Sequence, residues 1–151
     1  MRLYFLRHGA ADWPDWDKPD DERPLTEEGR RELHQVGEFL ARLKTKPDII
    51  LTSPLPRAAQ TAEIAAEYLR AGVREEKALS PGFGAEDLKR LRGKYPQQAL
   101  MLVGHEPDFS SVIEALTGGN VKLSKAGVAL VDLSLGTGKL LWLFPPKLAK
   151  T

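Results

Sequence analysis

The run Ala99-Leu100-Met101-Leu102-Val103 limits the fold more than any other stretch of this chain. Its five residues are all apolar, so a strand made of them turns apolar side chains to both faces of its sheet. Such a strand belongs in the middle of a parallel sheet with helices above and below. The flanking sequence supplies the other parts. Leu3-Tyr4-Phe5-Leu6 and Asp48-Ile49-Ile50-Leu51-Thr52 read as further strands, with Val73 to Lys77 as an edge strand. Thr26 followed by Glu27 and Glu28 reads as a capped helix start, and Leu33, Val36, Leu40 and Leu43 continue it at helical spacing to Pro47. Ser53-Pro54 reads as the cap and first residue of a second helix, with Ala58, Ala62, Ala65 and Leu69 on its inner face. A Gly-rich loop around Pro81 to Gly84 leads to a helix from Ala85 to Arg92, and another helix runs to Leu116. Gly127 to Leu135 and Lys139 to Phe144 flank Gly136-Thr137-Gly138 as an antiparallel hairpin. The expected fold class is α/β: a three-layer α/β/α sandwich, its sheet mostly parallel.

With 151 residues and no internal repeat or low-complexity linker, a single domain spanning 1–151 is expected. A net charge of +1 gives no global field that would draw nucleic acid or an anionic membrane. The absence of cysteine removes disulfides, thiolate nucleophiles and zinc–thiolate sites. No stretch approaches the ~18 apolar residues of a membrane span, and Met1 runs directly into a strand, so a cytoplasmic protein is expected.

Ligands of such sheets bind beyond the carboxyl ends of the strands. Three polar clusters fall there: Arg7-His8-Gly9, Ser53-Pro54-Leu55-Pro56-Arg57, and Gly104-His105-Glu106-Pro107. Two arginines, two histidines and a helix N-terminus converging on one point make a site for a dianion such as a phosphoryl group. A histidine among such cations is biased towards its neutral form, which leaves a ring nitrogen free to attack phosphorus. The other histidine, if protonated as the dianion arrives, would stabilise charge on the transferring group. Enough cationic side chains can run phosphoryl transfer by positioning and electrostatics. With only two histidines near each other and no carboxylate at ligand spacing, neither a metal nor a cofactor is expected.

Arg7-His8-Gly9, Ser53-Pro54 with Arg57-Ala58 and Gln60-Thr61, and Val103-Gly104-His105 together resemble the signature of the histidine phosphatase superfamily. Leu25-Thr26 with Gly29 is similar to that family's first helix start. The chain lacks the helical insertion that lids the phosphoglycerate mutases, and in length, motif spacing and its Pro-Lys-Leu-Ala-Lys ending it resembles the short SixA-type phosphohistidine phosphatases. The resemblance implies a phosphoglycerate mutase-like fold without the lid. It implies His8 as nucleophile, forming a covalent phosphohistidine, with the Gly9 carbonyl fixing its tautomer. Arg7, Arg57 and His105 would bind the phosphate, joined by the backbone N–H of Glu106.

Family members that cleave phosphate monoesters carry an acid that protonates the leaving oxygen. The segment after the second helix, Leu79 to Gly84, has no carboxylate before Glu86. Glu106 occupies the slot used by the phytase-like branch, so it is the candidate general acid; its other reading is a helix-start carboxylate. A weak acid apparatus favours a phosphorylated imidazole, which leaves once its ring is protonated. The expected partner is therefore a phosphohistidine-bearing signalling or phosphotransfer protein. The alternatives are a broad-specificity phosphomonoesterase acting on small phosphorylated metabolites, and a phosphate or phosphoprotein binding module without turnover.

Asp12 to Glu22 (DWPDWDKPDDE) packs six carboxylates and two tryptophans directly behind the candidate nucleophile. It reads either as a solvated turn or as a docking loop for a basic or apolar protein surface. His34 reads as a boundary histidine, Arg23 as a loop arginine within reach of the pocket mouth, and Lys147 to Lys150 as a solvated end.

Overall fold

The computed structural model describes residues 1–134 and 136–150; Leu135 and Thr151 lie outside them. The sequence folds around a six-stranded sheet made of β1 (Arg2–Arg7), β2 (Ile49–Thr52), β3 (Gly72–Glu75), β4 (Ala99–Gly104), β5 (Val128–Asp132) and β6 (Lys139–Phe144), in the order β3-β2-β4-β1-β5-β6. The first four strands are parallel, and β5 runs antiparallel to both β1 and β6.

The apolar run of β4 sits where its composition requires, between β1 and β2, with Leu100, Met101, Leu102 and Val103 all fully buried. Alternation along the strands divides the core in two. Tyr4, Leu6, Ile50, Met101 and Val103 pack against helices α1 (Glu27–Arg42) and α2 (Pro56–Leu69). Leu3, Phe5, Leu51, Leu100 and Leu102 pack on the opposite face against α3 (Ala85–Lys94) and α4 (Asp108–Thr117). Three layers result, as the strand and helix pattern implies.

Two helix boundaries differ from the local signals. Helix α1 ends at Arg42 and not at Pro47: Lys44 turns into the left-handed region (φ 58°), and Pro47 only leads into β2. Helix α2 begins at Pro56 with Leu55 in the capping position, so Ser53-Pro54 is not its start. The Ser53 side chain is engaged elsewhere, as described below. Thr26 does cap α1, its hydroxyl accepting from the Gly29 N–H at 3.0 Å.

Helix α1 lies hard against the segment that follows β1. The Ala10 carbonyl accepts from the Thr26 N–H at 3.0 Å, and a Cβ at Gly29 would overlap that same carbonyl oxygen. Gly29→Ala should therefore lower stability by about 1–3 kcal/mol through overpacking. Gly93→Ala, in α3 with open space around its Cα, should raise it by about 0.5 kcal/mol through helix propensity. Urea midpoints of the two variants, read against the parent, check the opposite signs.

Candidate active site

Because β4 lies between β1 and β2, the three polar clusters leave adjacent strand ends. Arg7 pairs with Gly104 and Thr52 with Val103, so His8, Ser53 and His105 emerge side by side. The His8 backbone is held on both sides: its N–H donates to the Gly104 carbonyl and its carbonyl accepts from the Ala126 N–H, each at 3.1 Å. Its ring Nδ1 is 2.7 Å from the Gly9 carbonyl. A carbonyl only accepts, so Nδ1 carries the proton and Nε2 keeps its lone pair. Gly9 is fixed in turn, its N–H donating to the Thr61 hydroxyl at 3.1 Å, while that hydroxyl donates to the Arg57 carbonyl at 2.7 Å. Gln60 accepts from the Leu25 N–H at 2.9 Å, so Gln60 and Thr61 rivet the start of α2 to the segments on either side of the loop.

His105 faces His8 with ring centroids 5.3 Å apart. Its Nε2 lies 2.8 Å from the hydroxyl of Ser53, a residue with no exposed surface. Both histidines are pushed down to about 4, chiefly by burial. For His8, the Gly9 bond opposes the shift while His105, Arg57 and Arg7 add to it; for His105, Arg57 and Arg7 add and Asp108 opposes. Both rings are therefore neutral at physiological pH.

The arginines complete a positive pocket. Arg57, 7% exposed, donates to the Asp20 carbonyl at 3.1 Å, with the Asp20 carboxylate 3.7 Å away. Arg7 donates to the Leu123 carbonyl at 3.1 Å and buries its Nε with no partner among the described residues. Burial draws both guanidiniums below their ordinary value, against the pull of Glu106 and Asp12 on Arg7 and of Asp20 and Asp21 on Arg57. Both stay charged.

The Glu106 carboxylate accepts from the Ser110 N–H at 2.7 Å and from the Ser110 hydroxyl at 2.5 Å, the arrangement of a helix-start carboxylate. Its backbone N–H donates to no protein acceptor among the described residues. Arg23 reaches the pocket mouth, donating to the Ala11 carbonyl at 2.9 Å and pairing with Asp20 at 2.8 Å and Asp12 at 3.8 Å. Asp12 also pairs with Lys125, which holds its carboxyl below the usual range. The acidic loop is thus anchored at Asp12 and Asp20, with its tryptophan N–H groups on the Pro24 and Pro19 carbonyls and Trp13 40% exposed. His34 lies away from this cluster, 2.8 Å from the Tyr68 hydroxyl between α1 and α2. The basic end is not wholly solvated: Ala149 is buried in a 3-10 turn that packs on α1. Among the described residues no group of three or more His, Asp or Glu is set to hold a metal ion, and no helix is long and apolar enough to cross a membrane.

The profile of the histidine phosphatase superfamily (branch 1) matches residues 3–87, more than half of the chain. The chain belongs to the histidine phosphatase superfamily. An uncharacterized protein of Picosynechococcus is 41% identical over 150 residues, covering 93% of this chain and 88% of that protein. The structure of the putative phosphohistidine phosphatase SixA from Agrobacterium tumefaciens superposes with a TM-score of 0.84 at 25% identity, covering 96% of this chain and 98% of the other. That of the protein histidine phosphatase SixA complexed with tungstate shares the fold, with a TM-score of 0.87 at 24% identity over 99% and 100% of the two chains. The phosphoglycerate mutase-like α/β fold and the SixA-like resemblance both stand.

The folded chain gives Ser53, Thr61 and Asp20 roles in this site that the sequence alone did not assign. Ser53 and Thr61 lay inside the family motif, Ser53 also carrying a local cap signal, and Asp20 had no sequence signal beyond its acidic loop. The depressed histidines give a stability prediction. Unfolded, each ring takes up a proton near pH 6.5; folded, each resists until about pH 4. Acidification through that window therefore favours the unfolded chain, by up to about 1.4 kcal/mol per pH unit per histidine. Melting temperature should fall from pH 6.5 to 4, and a His8→Asn/His105→Asn double variant should flatten that fall.

Proposed function

We propose that this phosphatase works through a covalent phosphohistidine on His8 and acts on phosphohistidine carried by a signalling or phosphotransfer protein. The observation that carries the reading is the His8 ring itself: Nδ1–H on the Gly9 carbonyl, a bare Nε2, and Arg7, Arg57 and His105 around it. The Nε2 lone pair attacks phosphorus as the bond to the leaving group breaks, and the leaving nitrogen or oxygen departs with that electron pair and takes up a proton. Water then attacks phosphorus, the N–P electrons return to Nε2, and inorganic phosphate leaves as the water proton passes to solvent. Arg7, Arg57 and His105 hold the three non-bridging oxygens, and the Glu106 N–H adds a donor.

The substrate reading rests on the carboxylates. Glu106 is bonded to Ser110, Asp108 accepts from the Gly82 N–H at 2.8 Å, and Asp12 and Asp20 are paired with cations. Each of these carboxylates is engaged by a protein partner, so Glu106 serves as the anchor of α4 rather than as a general acid. An imidazole leaving group, protonated from solvent at neutral pH, suits such a site better than an alkoxide. The likeness in fold to SixA supports the same class.

Kinetics compare a phosphohistidine-bearing protein domain with an aryl phosphate, using His8→Ala as the inactive control. The protein substrate should win in kcat/KM by orders of magnitude; an aryl ester equally good or better would overturn the assignment in favour of a small-molecule phosphomonoesterase. Phosphate binding with no turnover of either substrate would leave a binding module. Asp15 and Asp17 are exposed on the same loop as Trp13 and offer a contact for a basic protein surface. Changing both acids to Asn should lower kcat/KM for the protein several-fold and leave the aryl ester unchanged; equal effects on both substrates would remove the docking role.

A further inference from the structure

We infer that Ser53 is a positioning residue that fixes the tautomer of His105, so that His105 meets the phosphoryl group as a neutral Nδ1–H donor. The argument begins with the buried hydroxyl. Ser53 Oγ accepts from the Leu55 N–H at 3.3 Å and lies 2.8 Å from His105 Nε2. A buried hydroxyl proton needs an acceptor, and among the described residues His105 Nε2 is the one that bonds to it. The Ser53 O–H therefore donates to Nε2, which must be unprotonated, and the ring proton of His105 sits on Nδ1.

The alternative arrangement is poor. With a proton on Nε2, both His105 and Leu55 would donate to the same oxygen, and the Ser53 proton would have no partner. The charges facing His105 act in the same direction: Arg7 from β1 and Arg57 from α2 oppose an imidazolium, and Asp108 from α4 only partly offsets them. His105 is therefore kept from becoming the cation that the spacing of the motifs allows.

The two histidines thus differ in polarity although both are neutral. A backbone carbonyl holds His8 by Nδ1 and exposes a lone pair on Nε2, whereas a hydroxyl holds His105 by Nε2 and exposes an N–H on Nδ1. One is set to attack and the other to donate. A free imidazole side chain favours the Nε2–H form, so removing Ser53 would swap donor for lone pair at Nδ1, the ring nitrogen without a partner among the described residues. The catalytic meaning of this rests on the proposed function, but the tautomer does not.

Nitrogen NMR of the histidine-labelled protein at neutral pH reads the tautomer directly. The wild type should show a protonated Nδ1 and an unprotonated Nε2 for His105. Ser53→Ala should populate the Nε2–H form and shift the titration of His105 upward. It should also lower kcat by about 100- to 1,000-fold, the scale of one lost donor to charge developing in the transition state. Ser53→Thr, which keeps the hydroxyl, should restore the wild-type tautomer. A protonated Nε2 in the wild type overturns the inference without recourse to any variant, as does an unchanged tautomer in folded Ser53→Ala. Full turnover by His8→Ala would instead remove the functional reading and leave the tautomer result standing.

Discussion

The ladders on either side of β4 pair Arg7 with Gly104 and Thr52 with Val103, and the next residue along each strand carries a side chain of the site. That register is what brings His8, Ser53 and His105 together across about two thirds of the chain. It is held by burial on both faces, because a slip of one residue would turn Phe5, Leu102 and Leu51 out of their core and into the opposite layer. The site is therefore as rigid as the middle of the sheet, and its precision comes from packing and not from the loops that cover it.

Upon this frame the fold gathers charge that has little local compensation. Arg7 is anchored by a carbonyl, and Arg57 by a carbonyl and an exposed carboxylate, so neither forms a tight buried ion pair. The histidines, kept neutral by burial and by those arginines, add directional groups without adding repulsion. In the proposed function a phosphoryl dianion supplies the missing negative charge, and the buried Nε of Arg7 is a donor without an acceptor among the described residues. The acidic loop limits the same field: Asp12 and Asp20 are drawn to Lys125, Arg23 and Arg57, which places negative charge at the pocket rim and not at its base.

Much of this was legible in the sequence, because the strands announce themselves by apolar runs that stop abruptly at Arg7, Ser53 and Gly104. The topology rule for parallel sheets then directs attention to those stops. What could not be read depends on contacts distant in sequence. Ser53-Pro54 has the local chemistry of a helix cap, yet its hydroxyl is claimed by His105, 52 residues later, and the helix starts at Pro56. Asp20 lies 37 residues from Arg57, and nothing in DWPDWDKPDDE says which acid turns inward. Glu106 was ambiguous between acid and anchor because the choice depends on the side-chain torsion that folds it back on Ser110. Pro47 was a false stop for α1, since a left-handed Lys44 ends the helix first.

The central claim is that the phosphoryl group passes through Nε2 of His8. Turnover of a protein carrying isotopically labelled phosphohistidine, quenched into alkali and followed by mapping of the label, tests it most directly. The account predicts label on His8 at Nε2, stable to base and lost on mild acidification, and none in His8→Ala. Label on any other residue, or wild-type turnover by His8→Ala, would contradict it.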